Sequence, residues 1–286
     1  MLAYQVAACK GKGTGEQTLL QGLTLHLNAG EVLLADALLA TWWIIEGAKR
    51  RGADVLMAQH GKRITEFARG RPSSPHQAQG QKDHVVQWPR PPKPKSMSAE
   101  EYAAYPEFIT MREIEIEIDG RILVTTLLDP QYASARVLGT LYAMRWNIEV
   151  DFRVIKSTLQ MDVLGCKSQA MVEKEIAVCL LAYNLVRAAM AKACALKDVL
   201  PRSLSFSAAK RLLAAFADQL RRTAEDQVDA VSACVLTAIA ACRLRHRPHR
   251  IEPRAKKRRP KNLPLLTVHR NVAREQIRAQ RLIRVA

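Results

Sequence analysis

The 286-residue chain has no long hydrophobic run free of charge. Its longest stretch without Asp, Glu, Lys or Arg, Gln17 to Gly30, has 14 residues and contains His26 and Asn28. That is too short and too polar to cross a bilayer. The N-terminal MLAYQVAACK offers no charged region followed by an apolar run, so no secretory signal is read there. The six cysteines (Cys9, Cys166, Cys179, Cys194, Cys234, Cys242) lack the spacing of a disulfide framework. Packed or idle thiols in a reducing cytoplasm fit them best. Cys234, Cys242, His246 and His249 do not have the spacing of a zinc module. No internal repeat is present. Acidic residues are in shortest supply: 27 against 44 basic ones, a net charge of +17. A surplus of that size points to a polyanionic partner, nucleic acid before an anionic membrane surface. At 48% hydrophobic and 25% charged, the composition is that of a globular chain and excludes disorder of the whole.

The surplus sits in two places. Gln59 to Ser96 holds eight basic and two acidic residues, and Arg243 to Ala286 fifteen basic and two acidic, so the remainder is close to neutral. Both segments are rich in proline or glycine. HGKRITEFARGRPSSPHQAQGQKDHVVQWPRPPKPK reads as an irregular excursion, and RHRPHRIEPRAKKRRPKNLP as a polybasic run that prolines keep from being one helix. One-signed charge favours phosphate binding over plain solvated loops.

Elsewhere the pattern is that of an α/β protein. Thr14 is placed to cap a helix over 16–27. Apolar runs over 31–35 and 53–58 have buried-strand length, and the helix expected between them, 38–51, ends at Gly52. Residues 98–105 suggest a short helix. Residues 111–118 alternate strictly, as a half-buried strand does. Asp119-Gly120 signals a hairpin whose return strand is 121–128. Helical stretches follow from about residue 132, then over 169–196, 207–222 and 225–243.

The informative segment is LYAMRWNIEVDFRVIKSTL, Leu141 to Leu159. On one continuous helix with Tyr142 set at 0°, Arg145, Glu149 and Lys156 fall at about 300°, 340° and 320°, with Asp151 on the opposite, solvated side. Leu141, Ile148, Phe152 and Ile155 run beside them as an apolar stripe. A carboxylate among cations suits a site that must hold both a divalent metal and phosphates. The alternative is a surface stripe of helical ion pairs, with Arg145 and Glu149 at i,i+4.

Tyr142, Arg145, Glu149 and Lys156 match Y-x2-R-x3-E-x6-K, and the chain thereby resembles one branch of the DDE insertion-sequence transposases. GKGTGEQTLL leading to EVLLAD, RRGADVLMAQHGKR, MVEKEIAVCLLAYNLVR and EPRAKKRRPKNLPLLT extend the resemblance over nearly the whole chain. It implies an RNase H-like mixed sheet with flanking helices, a β-rich insertion, and a helical, basic C-terminal region. The division expected is 1–58 for a partial core, 59–130 for the insertion, 131–200 for the rest of the core and 201–286 for the C-terminal helices and tail. It further implies cleavage and joining of double-stranded DNA at transposon ends by two divalent metals, Mg²⁺ or Mn²⁺, in a cytoplasmic homodimer on paired ends, with no membrane involved. Glu149 maps onto the Glu of the catalytic triad and Asp36 onto its second Asp, both as metal ligands. Helix N-capping is the competing role for Asp36. Tyr142, Arg145 and Lys156 would contact phosphates. Trp88, in the insertion, would stack on a flipped base or else anchor a loop. No acidic residue precedes Glu16, so the first Asp and its strand are expected to be missing. That would make the chain an N-terminally truncated transposase, inactive alone, or a DNA-binding fragment that inhibits the full-length enzyme.

Overall fold

A computed structural model describes residues 3–7, 14–68, 70–72, 82–95, 97–116, 120–244 and 268–279. The polybasic run over 245–267, Cys9, His246, His249 and Asp119 of the expected turn lie outside the described residues. The chain divides into two units, residues 1–180 and 181–286.

In the first unit, α1 (Glu16–Leu23) continues as a 3-10 turn over Thr24–His26. The N-cap is Gly15 and makes no side-chain bond, so the expected Thr14 cap is displaced by one residue. Then come β1 (Val32–Ala35), α2 (Trp42–Arg50) and β2 (Asp54–Ala58), the βαβ unit that the apolar runs imply. Helix α2 starts four residues later than expected because the Asp36 carboxylate organises a separate turn ahead of it. Gly52, at φ +72°, closes the helix from the left-handed region. The excursion that read as irregular contains β3 (Arg71–Pro72) and β4 (Asp83–Pro89). After α3 (Ala99–Ala103), β5 (Phe108–Ile116) and β6 (Arg121–Thr125) form the expected hairpin. Helix α3 is held by a capping box between Ser98 and Glu101. Replacing Ser98 with Ala is expected to cost about 1 kcal/mol, read as a lower urea midpoint.

The six strands form one sheet in the order β1-β2-β6-β5-β4-β3. Strands β1 and β2 are parallel, and every other pair is antiparallel. Both faces are covered. Val55, Met57, Met111 and Val124 pack with Trp42, Ile44, Ile45 and Ala48. On the other face, Leu56, Ala58, Ile114 and Leu123 pack with Leu138 and Tyr142 of α4 (Ala135–Ala143). A strand buried on both sides must be apolar throughout, which is why Val55 to Ala58 shows no alternation. The mixed α/β fold expected from the sequence is the one observed.

The strict alternation over 111–118 misled in one respect. Arg112 and Glu113 are buried, not solvated. Their partners stand on β4, where His84 registers with Glu113 and Asp83 with Ile114. The Arg112 guanidinium donates from Nε to Asp83 Oδ1 (2.8 Å) and from Nη2 to Asp83 Oδ2 (2.5 Å). Its Nη1 donates to the carbonyl of Ala133 (2.6 Å), tying the sheet to the loop that enters α4.

In the first unit α4 is followed by α5 (Trp146–Arg153) and a π-helical turn over Val154–Thr158. The long α6 (Gln169–Ala195) runs from the first unit into the second. The second unit continues with a 3-10 turn (Pro201–Ser203), α7 (Phe206–Arg222), α8 (Val228–Ala241) and α9 (Arg270–Ala279). Tyr183 stacks on Phe206 with ring centroids 5.5 Å apart, and the Arg187 guanidinium lies over both rings. Among the described residues α6 is the one helix long and apolar enough to cross a membrane, judged by length and composition.

Candidate metal and nucleic-acid site

Three elements leave the sheet at one end. Ala35 registers with Met57, Ala58 registers with Leu123, and the Gln59 amide donates to Ile122 O (2.9 Å). Asp36, Gln59 and Arg121 therefore stand at the same end, beyond the C-terminal ends of the parallel strands. Tyr142, near the end of α4, is buried in the cluster that holds Ala58 and Leu123, and Arg121 of this end approaches its ring.

Asp36 is exposed, and its Oδ1 accepts from the amides of Leu38 (3.0 Å) and Leu39 (3.3 Å). The capping role foreseen for it is thus real, although it caps a turn and not α2. The turn fixes the carboxylate and leaves Oδ2 out of those bonds.

The four-residue signature does not lie on one continuous helix. Between α4 and α5 the amides of Arg145 and Ile148 reach back only three residues, to Tyr142 O (3.0 Å) and Arg145 O (3.1 Å). In the π turn the Leu159 amide reaches back five, to Val154 O (3.1 Å). Tight and wide turns change the phase of everything after them. Tyr142, Arg145 and Glu149 still meet. Arg145 Nη2 donates to Glu149 Oε1 (3.1 Å), and its guanidinium lies 5.8 Å from the centre of the Tyr142 ring. Arg121, which the sequence did not single out, brings a second guanidinium to within 5.7 Å of the same ring. Its only signal was a place just after the Asp-Gly turn. Tyr142 itself is 7% exposed, so it serves as an aromatic floor beneath two cations. Lys156 is exposed on the π turn.

Neighbouring residues in the sequence behave otherwise than the helical pattern suggests. Asp151, read as solvated, is buried and partnered. Trp146, beside the signature, is 54% exposed. Ile148 and Phe152 of the apolar stripe are exposed too, while Ile155 is buried.

Trp88 is 1% exposed. Its indole N–H donates to Glu113 Oε1 (2.8 Å), its carbonyl accepts from Trp42 Nε1 (3.1 Å), and the Arg63 guanidinium covers the ring at 3.6 Å. No face is open to a base in this conformation, and the anchoring role is the one its surroundings match. Beside it lies a cleft of about 620 Å³ bordered by Gln17, Thr41, Trp42, His60, Lys62 and Arg63. Burial pulls the Arg63 guanidinium below its ordinary pKa, and the charge of Glu113 opposes that shift.

Among the described residues no group of three or more His, Cys, Asp or Glu could hold a metal ion. Carboxylates such as those of Asp36 and Glu149 are the ligand type that Mg²⁺ takes, with several waters kept and its shell completed by substrate phosphate. They do not suffice to enclose a pair of metals.

Residues 1–185 match the family described as Transposase DDE domain. The chain belongs to the DDE transposases. It is similar to the transposase InsG for insertion sequence element IS4 of Escherichia coli (strain K12), at 29% identity over 190 residues. Those residues make up 65% of this chain and 42% of that relative, so the chain spans less than half the length of the DDE transposase it matches. No solved structure matches. The family match covers Asp36, the whole sheet and the signature residues Tyr142 to Lys156, and ends within α6.

Proposed function

We propose that the chain acts on DNA at the ends of an insertion sequence, as part of a cytoplasmic homodimer on paired ends. Asp36 and Glu149 are the carboxylates that would hold a divalent metal, and Arg145, Lys156 and Arg121 the cations that meet phosphate. The observation that carries this reading is the Arg145–Glu149 ion pair beside Tyr142, whose ring Arg121 also approaches. A bound Mg²⁺ or Mn²⁺ would activate the attacking oxygen and stabilise the leaving one. The protein's own part is to seat the phosphate. Arg145 is half-committed to Glu149 and can turn its remaining donors to a phosphate oxygen, a fork geometry that lysine lacks.

The family's triad has a third acid, and no third carboxylate joins this pair among the described residues. Among the described strands β1 is one of the two edges of the sheet, and its apolar Val32, Leu33 and Leu34 are only half-buried. Native edges of that kind are normally guarded by charge or covered. A strand carrying the remaining acid and seated on β1 would fill that edge and complete the site. On this reading the isolated chain binds DNA but does not transfer strands, and a second role follows: it competes with complete transposase for the same ends.

A salt titration of binding to a fluorescent duplex tests the DNA contacts. Arg145→Ala and Lys156→Ala should each flatten the slope of log K against log[salt] by about 0.9, while Glu149→Gln leaves the slope unchanged. Equal slopes for all three variants would remove the signature residues from the interface. Strand transfer by the unmodified chain with Mg²⁺ or Mn²⁺ would overturn the two-carboxylate argument.

A further inference from the structure

We infer that Glu113 is a positioning residue for DNA binding: its buried carboxylate clamps the basic loop 59–67 so that His60 and Lys62 are held at the cleft beside the Asp36 turn. The inference rests on the reading that the chain binds DNA.

A glycine-containing surface loop with two or three cations ordinarily moves. This one is fastened along its length. The Gln59 amide is bonded to β6, and the Gln59 side chain donates to Thr65 Oγ1. The Thr65 hydroxyl donates to Glu113 Oε2 (2.7 Å). His84 bridges the same Oε2 (3.1 Å, from Nε2) and the Phe67 carbonyl (3.3 Å, from Nδ1), with its ring against the Phe67 ring. Arg63 lies flat on Trp88, and the Trp88 N–H occupies the other oxygen of Glu113. The contacts made by the Gln59 side chain, Arg63, Thr65 and Phe67 all lead to this one carboxylate.

A carboxylate that is 3% exposed is costly to bury, and the sheet could have been closed there by an apolar side chain. What the acid adds is acceptor capacity, used by donors from the loop and from β4. The result is a loop whose tip is rigid while Lys62 stays exposed and His60 half-buried. Preformed cations bind phosphate without the ordering cost that a mobile loop would carry. Glu113 touches no substrate in this scheme and acts through Thr65, His84 and Trp88.

The test uses the full chain and a fluorescent duplex of mixed sequence. Lys62→Ala should weaken binding about eightfold near 0.1 M salt and flatten the salt slope by about 0.9, the share of one phosphate contact. Thr65→Val keeps the side chain's shape, removes the hydroxyl that reaches Glu113, and should lose as much as Lys62→Ala. Thr65→Ser should restore wild-type affinity. Glu113→Gln has one acceptor oxygen in place of two, so it cannot serve the Trp88 N–H on one side and Thr65 with His84 on the other, and should follow Thr65→Val. If it fails to fold, the Thr65 pair decides. The double variant Lys62→Ala/Thr65→Val should bind no worse than Lys62→Ala alone, because a released loop has already lost the contact. Absence of salt-dependent binding by the wild type would sink the DNA reading itself. A normal wild type and a weakened Lys62→Ala, with Thr65→Val at wild-type affinity or with losses that multiply in the double variant, would overturn the positioning role alone.

Discussion

Arg112→Met is expected to lower the unfolding free energy by about 3–5 kcal/mol, enough to unfold many domains of this size. The guanidinium is fully buried and spans both oxygens of Asp83, itself 5% exposed. Removing the cation takes the guanidinium away from both oxygens of an anion buried from water. The bonded Ala133 carbonyl loses its donor as well, at the loop that launches α4 and, with it, the aromatic floor under Arg145. Urea denaturation of wild type and variant measures the effect. The double variant Asp83→Leu/Arg112→Met should recover much of the loss, since well-packed apolar replacements of a buried ion pair are often neutral or better. A single-variant loss below about 1 kcal/mol would mean that the pair is hydrated and the described burial is wrong.

Trp88→Ala should cost a similar amount, about 3–5 kcal/mol, by opening a cavity in the core beneath β4. Trp88→Phe separates packing from hydrogen bonding. The ring is largely retained, yet one oxygen of Glu113 loses its donor, worth about 1–3 kcal/mol for a buried group. These values set the anchoring role against base stacking in a way that urea curves and DNA titrations can resolve together. A stacking residue would leave stability nearly intact on substitution and lose affinity, whereas an anchor loses stability first. If Trp88→Phe melted like the wild type but bound DNA more than tenfold more weakly, the ring would have to leave its present pocket to meet a base.

Much of the fold was legible because it is written in local patterns. The apolar runs at 32–35 and 54–58, the glycine that ends α2 and the hairpin into residue 121 each follow from a few adjacent residues. Strand β4 was not legible, because its short apolar core is set between proline-rich and basic flanks and its partners lie some 25 residues away. The same separation hid the fate of Arg112 and Glu113. Their charges read as solvent-facing until Asp83 and His84 are placed beside them. At the candidate site, the i,i+4 relation of Arg145 and Glu149 survived because it falls within a single turn. Lys156 follows a tightened turn and lies in a π turn, and neither has a sequence signal as strong as proline or glycine. Arg121 and the Glu113 network were out of reach for a different reason: they depend on which strand neighbours which.

Strand order also bears on how the chain is made. Strand β2 has fully buried Val55, Leu56 and Met57, but its antiparallel neighbour β6 lies roughly 70 residues downstream. At typical synthesis rates of about 5–20 residues per second, that apolar segment leaves the ribosome several seconds before the edge that will cover it exists. Newborn chains therefore pass through an interval in which a sticky strand is paired on one side only. The yield of folded protein should depend on holdase chaperones during that interval, even though the finished sheet no longer needs them.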